Sequence, residues 1–253
     1  MIDASPASLA FLVVAGLLAG AVNAVAGGGS LLVFPALLAV GFSPLAANVT
    51  NSVAQWPGYL GIVIGQRMDL RGQRRRIVLT SAVSVVGSAL GCALLLVLPA
   101  AVFDAVVPAL VLLASVMLAL QPYLKRWIGV PERDAPDRLA VLLPAVFLAA
   151  IYGGYFGGAL GVILVGVLGV GLHRLKLANA LKSALSAVTA TVTLVVFGLF
   201  GPIDWQVVAV AAPASLVGGF LGARLATRIP PTPLRAFIVC FGVAVSIYLF
   251  ARI

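Results

Sequence analysis

Charge is the scarcest commodity in this 253-residue chain. Charged side chains make up 9% of it, against 62% hydrophobic residues, and mean hydropathy is +1.19. From Ala4 to Gln66 there is no charged residue at all. Such a chain has too little polar surface to cover a soluble domain, so the composition defines a polytopic membrane protein whose partner is the lipid bilayer. The chain has one histidine, His173, and two cysteines, Cys92 and Cys240, each inside an apolar run without a CxxC spacing. Those absences exclude a zinc cluster or a disulfide framework, and the cysteines read as small buried hydrophobes. There is no HExxH, no GxSxG and no Walker loop, so the chain offers no hydrolytic set and no means of pumping by splitting ATP itself. It is read as a non-enzyme, with no cofactor and no metal. The amino-terminal residues lack the basic n-region of a cleaved signal, so the first apolar run is expected to be retained.

The net charge of +9 could point to nucleic acid, but the basic residues sit in short connectors between apolar runs, where membrane orientation explains them. No nucleic-acid partner is expected. The apolar runs cover 8–41, 43–66, 77–103, 105–124, 139–172, 175–203, 205–223 and 236–251. Lys and Arg crowd the connectors 67–76, 125–138 and 224–235, while the turns near Gly41, Pro99 and Gly201 carry none. Positive residues stay cytoplasmic, so these connectors are assigned inside and the turns outside. The run 139–172 then begins and ends inside. It must fold back as a re-entrant hairpin or cross twice, and 8–41 behaves likewise. Both termini come out external.

A single span needs only about 20 residues, so the first uncharged tract must be interrupted. Gly27-Gly28-Gly29-Ser30 is the candidate break, because three glycines support a helix poorly. Shifted by 131 residues, the chain matches itself: Ala47, Asn48 and Ser52 fall on Ala178, Asn179 and Ser183. At the same shift Ser84, Val86, Gly87, Leu90 and Gly91 fall on Ser215, Val217, Gly218, Leu221 and Gly222, and Gly27 falls on Gly158. Each copy holds one even-parity unit and three crossings, so the second is inverted relative to the first. The expected fold is an all-α integral membrane protein with two inverted-topology repeats. Each repeat has a glycine-broken hairpin or helix pair plus three transmembrane helices. Residues 1–122 form the first repeat, 123–138 a basic linker and 139–253 the second repeat.

In such a duplication the glycine breaks, 27–30 and 157–161, meet near the bilayer midplane. A half-helix starting at Ser30, with Ser30 as its N-cap, would aim backbone NH groups at a cavity and favour an anion. The competing reading is that the glycines only permit close helix packing. Asn48, Ser52 and Gln55 share one helical face with Asn51 beside them, and Asn179, Lys182, Ser183 and Ser186 trace the equivalent face. These polar groups either line a wet cavity or join helices. Lys182 is the one charge well inside an apolar run, which marks a functional position unless it snorkels toward the cytoplasm. A buried cation with no acid in any apolar run favours an anionic substrate. The candidate substrate-binding residues are therefore Gly27, Gly28, Gly29, Ser30, Asn48, Asn51, Ser52, Gln55, Gly157, Gly158, Asn179, Lys182 and Ser183.

Several of these motifs also carry a resemblance. Asn23-Ala-Val-Ala-Gly-Gly-Gly-Ser30 with Pro35, then Ala47-Asn-Val-Thr-Asn-Ser52 and a basic loop, is similar to the sulfite exporter TauE/SafE family. So are Gly153-Gly-Tyr-Phe-Gly-Gly158, Ala178-Asn-Ala-Leu-Lys-Ser183 and Gly218-Gly-Phe-Leu-Gly-Ala-Arg224 in the second half. Thr50 faces Leu181 in the second copy, so the polar motif is not fully repeated. The resemblance implies an inner-membrane transporter with duplicated halves that exports sulfite or a small organosulfonate such as sulfoacetate. The expected function is a secondary transporter of a small anion working by alternating access. An anion channel of the same fold and a non-transporting accessory subunit are the alternatives. Direction of flux, coupling ion and oligomeric state have no signal in the sequence.

Overall fold

The structure is a computed structural model that describes residues 5–25, 27–66, 70, 72–127, 139–171, 175–225 and 231–252. Arg67, Arg71, Arg133, Arg138 and Arg228 of the basic connectors lie outside these residues, as does His173. Every regular element among the described residues is an α-helix: α1 (Pro6–Val25), α2 (Ser30–Ala39), α3 (Pro44–Ala54), α4 (Trp56–Gln66), α5 (Arg74–Val97), α6 (Ala100–Trp127), α7 (Leu139–Tyr155), α8 (Leu160–Gly171), α9 (Leu175–Phe200), α10 (Trp205–Leu225) and α11 (Pro231–Phe250).

Local chemistry sets these boundaries. The α1–α2 connection turns at Gly27 (φ +83°) and the α7–α8 connection at Gly157 (φ +75°), a backbone region that glycine enters without strain. In each, the glycine amide bonds the carbonyl five residues back, Gly27 to Val22 (3.0 Å) and Gly157 to Tyr152 (3.2 Å). Ser43 caps α3 ahead of Pro44. Asp204 caps α10, accepting from the Gln206 and Val207 amides at 3.0 Å each. The run 43–66 is two helices rather than one. Pro57 has no N–H to bond the Val53 carbonyl and is tolerated only in a first helical turn, so α3 ends at Ala54 and α4 restarts at Trp56.

Six helices, α1, α5, α6, α9, α10 and α11, are long and apolar enough to cross a membrane; α2, α7 and α8 are shorter apolar helices. Large apolar side chains face outward on them: Val86, Leu148, Phe237 and Ile247 are each more than half exposed. In water such a surface would aggregate, whereas hydrocarbon solvates it.

The packing is reciprocal between the halves. Helix α1 lies along α10 in the same direction, Gly16 on Ala211, Gly20 on Ser215 and Gly219, and Gly222 on Ala21. Helix α7 lies along α5 in the same way, Gly87 on Phe147 and Ala150, and Gly91 on Ile151 and Tyr155. The self-similar blocks at Gly87/Gly91 and Gly218/Gly222 are thus small-residue stripes that let two backbones touch. Two other pairs run antiparallel. Along α3, α4 and α9, Val49 meets Gly201 just past the end of α9, and Trp56 donates to Thr191 Oγ1 at 2.9 Å. Along α6 and α11, Ser246 bonds the Pro108 carbonyl (2.8 Å) and Arg235 donates to Gln121 (3.1 Å).

Candidate functional site

The two glycine breaks touch. A Cβ on Gly27 would stand 3.2 Å from the Gly161 Cα, and one on Gly161 would stand 3.1 Å from the Gly27 Cα. The break geometries superpose at a shift of 130 residues, Gly27 on Gly157, one fewer than the shift that aligns Asn48 with Asn179. Helices α2 and α8 start at the same shift of 130, Ser30 and Leu160, so the extra residue falls between them and α3 or α9, and the equivalence of Gly27 with Gly158 is corrected by one residue. Gly28 packs on Leu118 and Ile238, Gly29 on the Ala19 carbonyl, and Gly158 on the Phe156 ring. Close packing and chain reversal are therefore both served by these glycines.

Ser30 is not the N-cap of α2. That position is Gly29, in helical geometry, and no side chain of the cap residue bonds the helix. The Gly29 amide is instead taken by Asn23 Oδ1 (2.8 Å) from α1. A short side chain at Ser30 cannot reach back once Gly29 has helical dihedrals, whereas the Asn23 amide arrives from outside the helix. Asn23 also donates to Gln55 Oε1 (2.5 Å). The Gln55 Nε2 then donates to Asn51 Oδ1 (2.6 Å) and Ser30 Oγ (3.3 Å). These four residues tie α1, α2 and α3 together around the break, with Gln55 lying in the gap between α3 and α4. Each hydrogen bond of this kind nets about 0.5–1.5 kcal/mol, and an orphaned partner costs about 1–3 kcal/mol.

Asn48, 1% exposed, donates to the Tyr155 carbonyl at 2.9 Å and so joins α3 to the end of α7; its buried Oδ1 has no partner among the described residues. Ser52 and Ser183 bond the carbonyls four residues before them, those of Asn48 (2.8 Å) and Asn179 (3.1 Å). Asn179 is half-buried. Lys182 is 7% exposed, and its stem lies against the break: a Cβ on Gly161 would be 3.6 Å from the Lys182 Cδ.

Beside the first break runs a narrow crevice of about 20 Å³, lined by Ser30, Ser52, Gln55 and Tyr59 on one side. Gly153, Gly157, Leu160, Ser186, Thr189, Ala190 and Thr193 form the other side. Ser30, Ser52, Gln55 and Gly157 among the expected site residues meet there. Asn48, Asn51, Asn179, Lys182 and Ser183 are not among its lining. Five polar lining or supporting side chains lie outside the expected set: Asn23, Tyr59, Ser186, Thr189 and Thr193. Asn23 had a signal, a lone amide in an apolar helix four residues before Gly27. Thr189 and Thr193 had one too, following Ser186 at i+3 and i+7. Among the described residues no group of His, Cys, Asp or Glu could hold a metal ion.

A helical bundle that crosses the membrane many times, with broken helices meeting around buried amides, hydroxyls and a lysine, has the architecture of membrane-transport proteins. The sulfite exporter TauE/SafE family model matches residues 12–249, and the chain belongs to that family. It is 32% identical over 237 residues to the probable membrane transporter protein YfcA of Escherichia coli (strain K12), covering 89% of this chain and 81% of that one. It is 29% identical over 238 residues to a probable membrane transporter protein of Haemophilus influenzae, covering 91% and 90%. A probable membrane transporter protein, ORF9, of Sinorhizobium sp is 25% identical over 244 residues, covering 96% and 92%. No solved structure matches the chain.

Proposed function

We propose that the protein is a secondary transporter of a small anion, sulfite or a small organosulfonate, held where the two glycine breaks meet. The observation that carries this reading is the contact of Gly27 with Gly161, with the buried Lys182 stem against it. Irregular backbone at membrane depth is tolerated only where protein or a cavity satisfies it, and a buried positive charge suits an anionic passenger. Inverted duplication is supported by the antiparallel pairing of α3/α4 with α9 and of α6 with α11, the helices that the repeat equates. The two repeats would rock against each other about this point. Asn48, Asn51, Asn179 and Ser183 would hydrogen-bond or position the anion, and Lys182 would offset its charge. With basic connectors cytoplasmic and both termini external, the protein would sit in the inner membrane. Export of an anion would gain about 2.3 kcal/mol per charge per 100 mV of inside-negative potential, so uniport suffices.

A crevice of about 20 Å³ holds about one water, not an anion with four or more heavy atoms. Loading therefore requires the surrounding helices to part, which favours a gated carrier over a standing channel. An accessory subunit would have no use for a crevice lined by Ser186, whose buried hydroxyl has no hydrogen-bond partner among the described residues.

Binding is the first test. Purified protein in detergent should unfold at higher temperature with sulfite or sulfoacetate than with chloride at equal ionic strength. At 100 times the dissociation constant the gain is about 2.7 kcal/mol. Lys182→Met should remove that gain. Absence of a shift with both anions would remove the proposed substrates.

A further inference from the structure

The polar clusters of the two halves are built on the same plan but filled differently. At the break's shift of 130 residues, Asn23 corresponds to Gly153 and Ser30 to Leu160; at the shift of 131, Asn51 corresponds to Lys182 and Gln55 to Ser186. In the first half, Asn23, Ser30, Asn51 and Gln55 bond one another. In the second half an amide has become a hydrogen atom and a glutamine a serine. Gly153, Leu160 and Ser186 form no such cluster and face Ser30 and Gln55 across the crevice.

The hydroxyls of α9 report the same difference. Ser183, Thr191 and Thr193 bond carbonyls three or four residues back in their own helix. Ser186 is 3% exposed, lines the crevice, and its Oγ has no hydrogen-bond partner among the described residues. A buried hydroxyl left unpaired is costly, so a site that keeps one is completed by something that enters it.

We infer that the crevice between the halves is the substrate site and Ser186, on its second-half side, the contact residue, while the bonded first-half cluster walls the other side and holds the Gly27 break in shape. Ser186 donates to an oxygen of the small oxoanion, Thr189 and Thr193 continue the hydroxyl path along α9, and Lys182 stands one turn before Ser186. Gly153 keeps the crevice open: a Cβ there would stand 2.7 Å from Leu160 Cδ2 and 3.1 Å from Thr189 Cγ2. The inference rests on the anion-transport reading for the identity of the ligand, but not for the location of the site.

Two substitutions test it in proteoliposomes loaded with sulfite or sulfoacetate. Ser186→Ala should raise the half-saturating concentration about tenfold, the loss of one hydrogen bond to a charged group, with thermal stability unchanged. Ser186→Gln installs the first-half residue and should stop flux by filling the crevice. Wild-type kinetics in both variants would overturn the assignment and leave anion transport standing. A second measurement does not depend on the anion. In a Cys92→Ala, Cys240→Ala background, a small water-soluble methanethiosulfonate should modify Ser186→Cys and spare Leu185→Cys. Labelling at Ser186→Cys without flux of either anion would keep the site and discard the anion reading. No labelling in folded protein would overturn the site itself.

Discussion

Replacing Lys182 by methionine is expected to abolish saturable anion flux while leaving the protein as stable as wild type, or more so. A lysine at the centre of a membrane helix costs about 2.5–3.5 kcal/mol; Lys182, about a quarter of the way along the span Leu177–Phe200, costs less than that, and methionine of similar length bears no such cost. Only 7% of Lys182 is exposed, and its stem is packed against Gly161 at the junction of the two breaks. A residue retained there for packing alone would keep its flux after the substitution. A residue that offsets the charge of a desolvated anion would lose about 3 kcal/mol of binding, on the order of a hundredfold in affinity. The combination of equal or raised melting temperature with lost flux separates these roles. Lys182→Arg should retain part of the flux, since it keeps the charge. If Lys182→Met transports normally, the lysine is not at the site.

The second large effect falls on the fold. Gly218→Ala should destabilise the protein by about 1–3 kcal/mol, and Gly218→Leu should prevent folding, because a Cβ at that position would collide with the Leu17 carbonyl of α1. Backbone atoms cannot swing aside as a flexible side-chain tip can. Gly91→Ala should behave alike, its Cβ striking the Ile151 carbonyl of α7. Gly166 supplies the control: it lies within α8, and a Cβ there meets nothing within 4 Å. Gly166→Ala should leave stability unchanged or raise it by up to about 1 kcal/mol from helix propensity. Thermal unfolding in one detergent measures all three. Equal effects at 166 and 218 would contradict the account of α1–α10 packing.

Much of this architecture was legible in residue pattern, and the reasons are physical. A tract without charge that is far too long for one span has to be interrupted, and three consecutive glycines are where interruption is cheapest, so the α1–α2 and α7–α8 pairs followed directly. Self-similarity flagged Gly87/Gly91 and Gly218/Gly222. It could not say which helix each stripe would touch, because a small-residue stripe has no address of its own. The missing information is tertiary: α10 takes α1, and α5 takes α7. The split of 43–66 had a local signal in Pro57, but a continuous apolar run hid it. Ser30 had the right chemistry for a cap and the wrong backbone, and the cap came from Asn23 six residues before Gly29. Which polar side chains would bond one another and which would stay unpaired was equally out of reach. Gln55 and Ser186 hold equivalent places in the repeat, and only their surroundings distinguish a bonded side chain from an unpaired one.

The most direct test of the central claim is flux of sulfite and sulfoacetate through wild-type protein in proteoliposomes, with and without an imposed potential. The account predicts transport of at least one of them that saturates with concentration and speeds up when the potential drives the anion outward. Folded, correctly reconstituted protein that passes neither anion would contradict it.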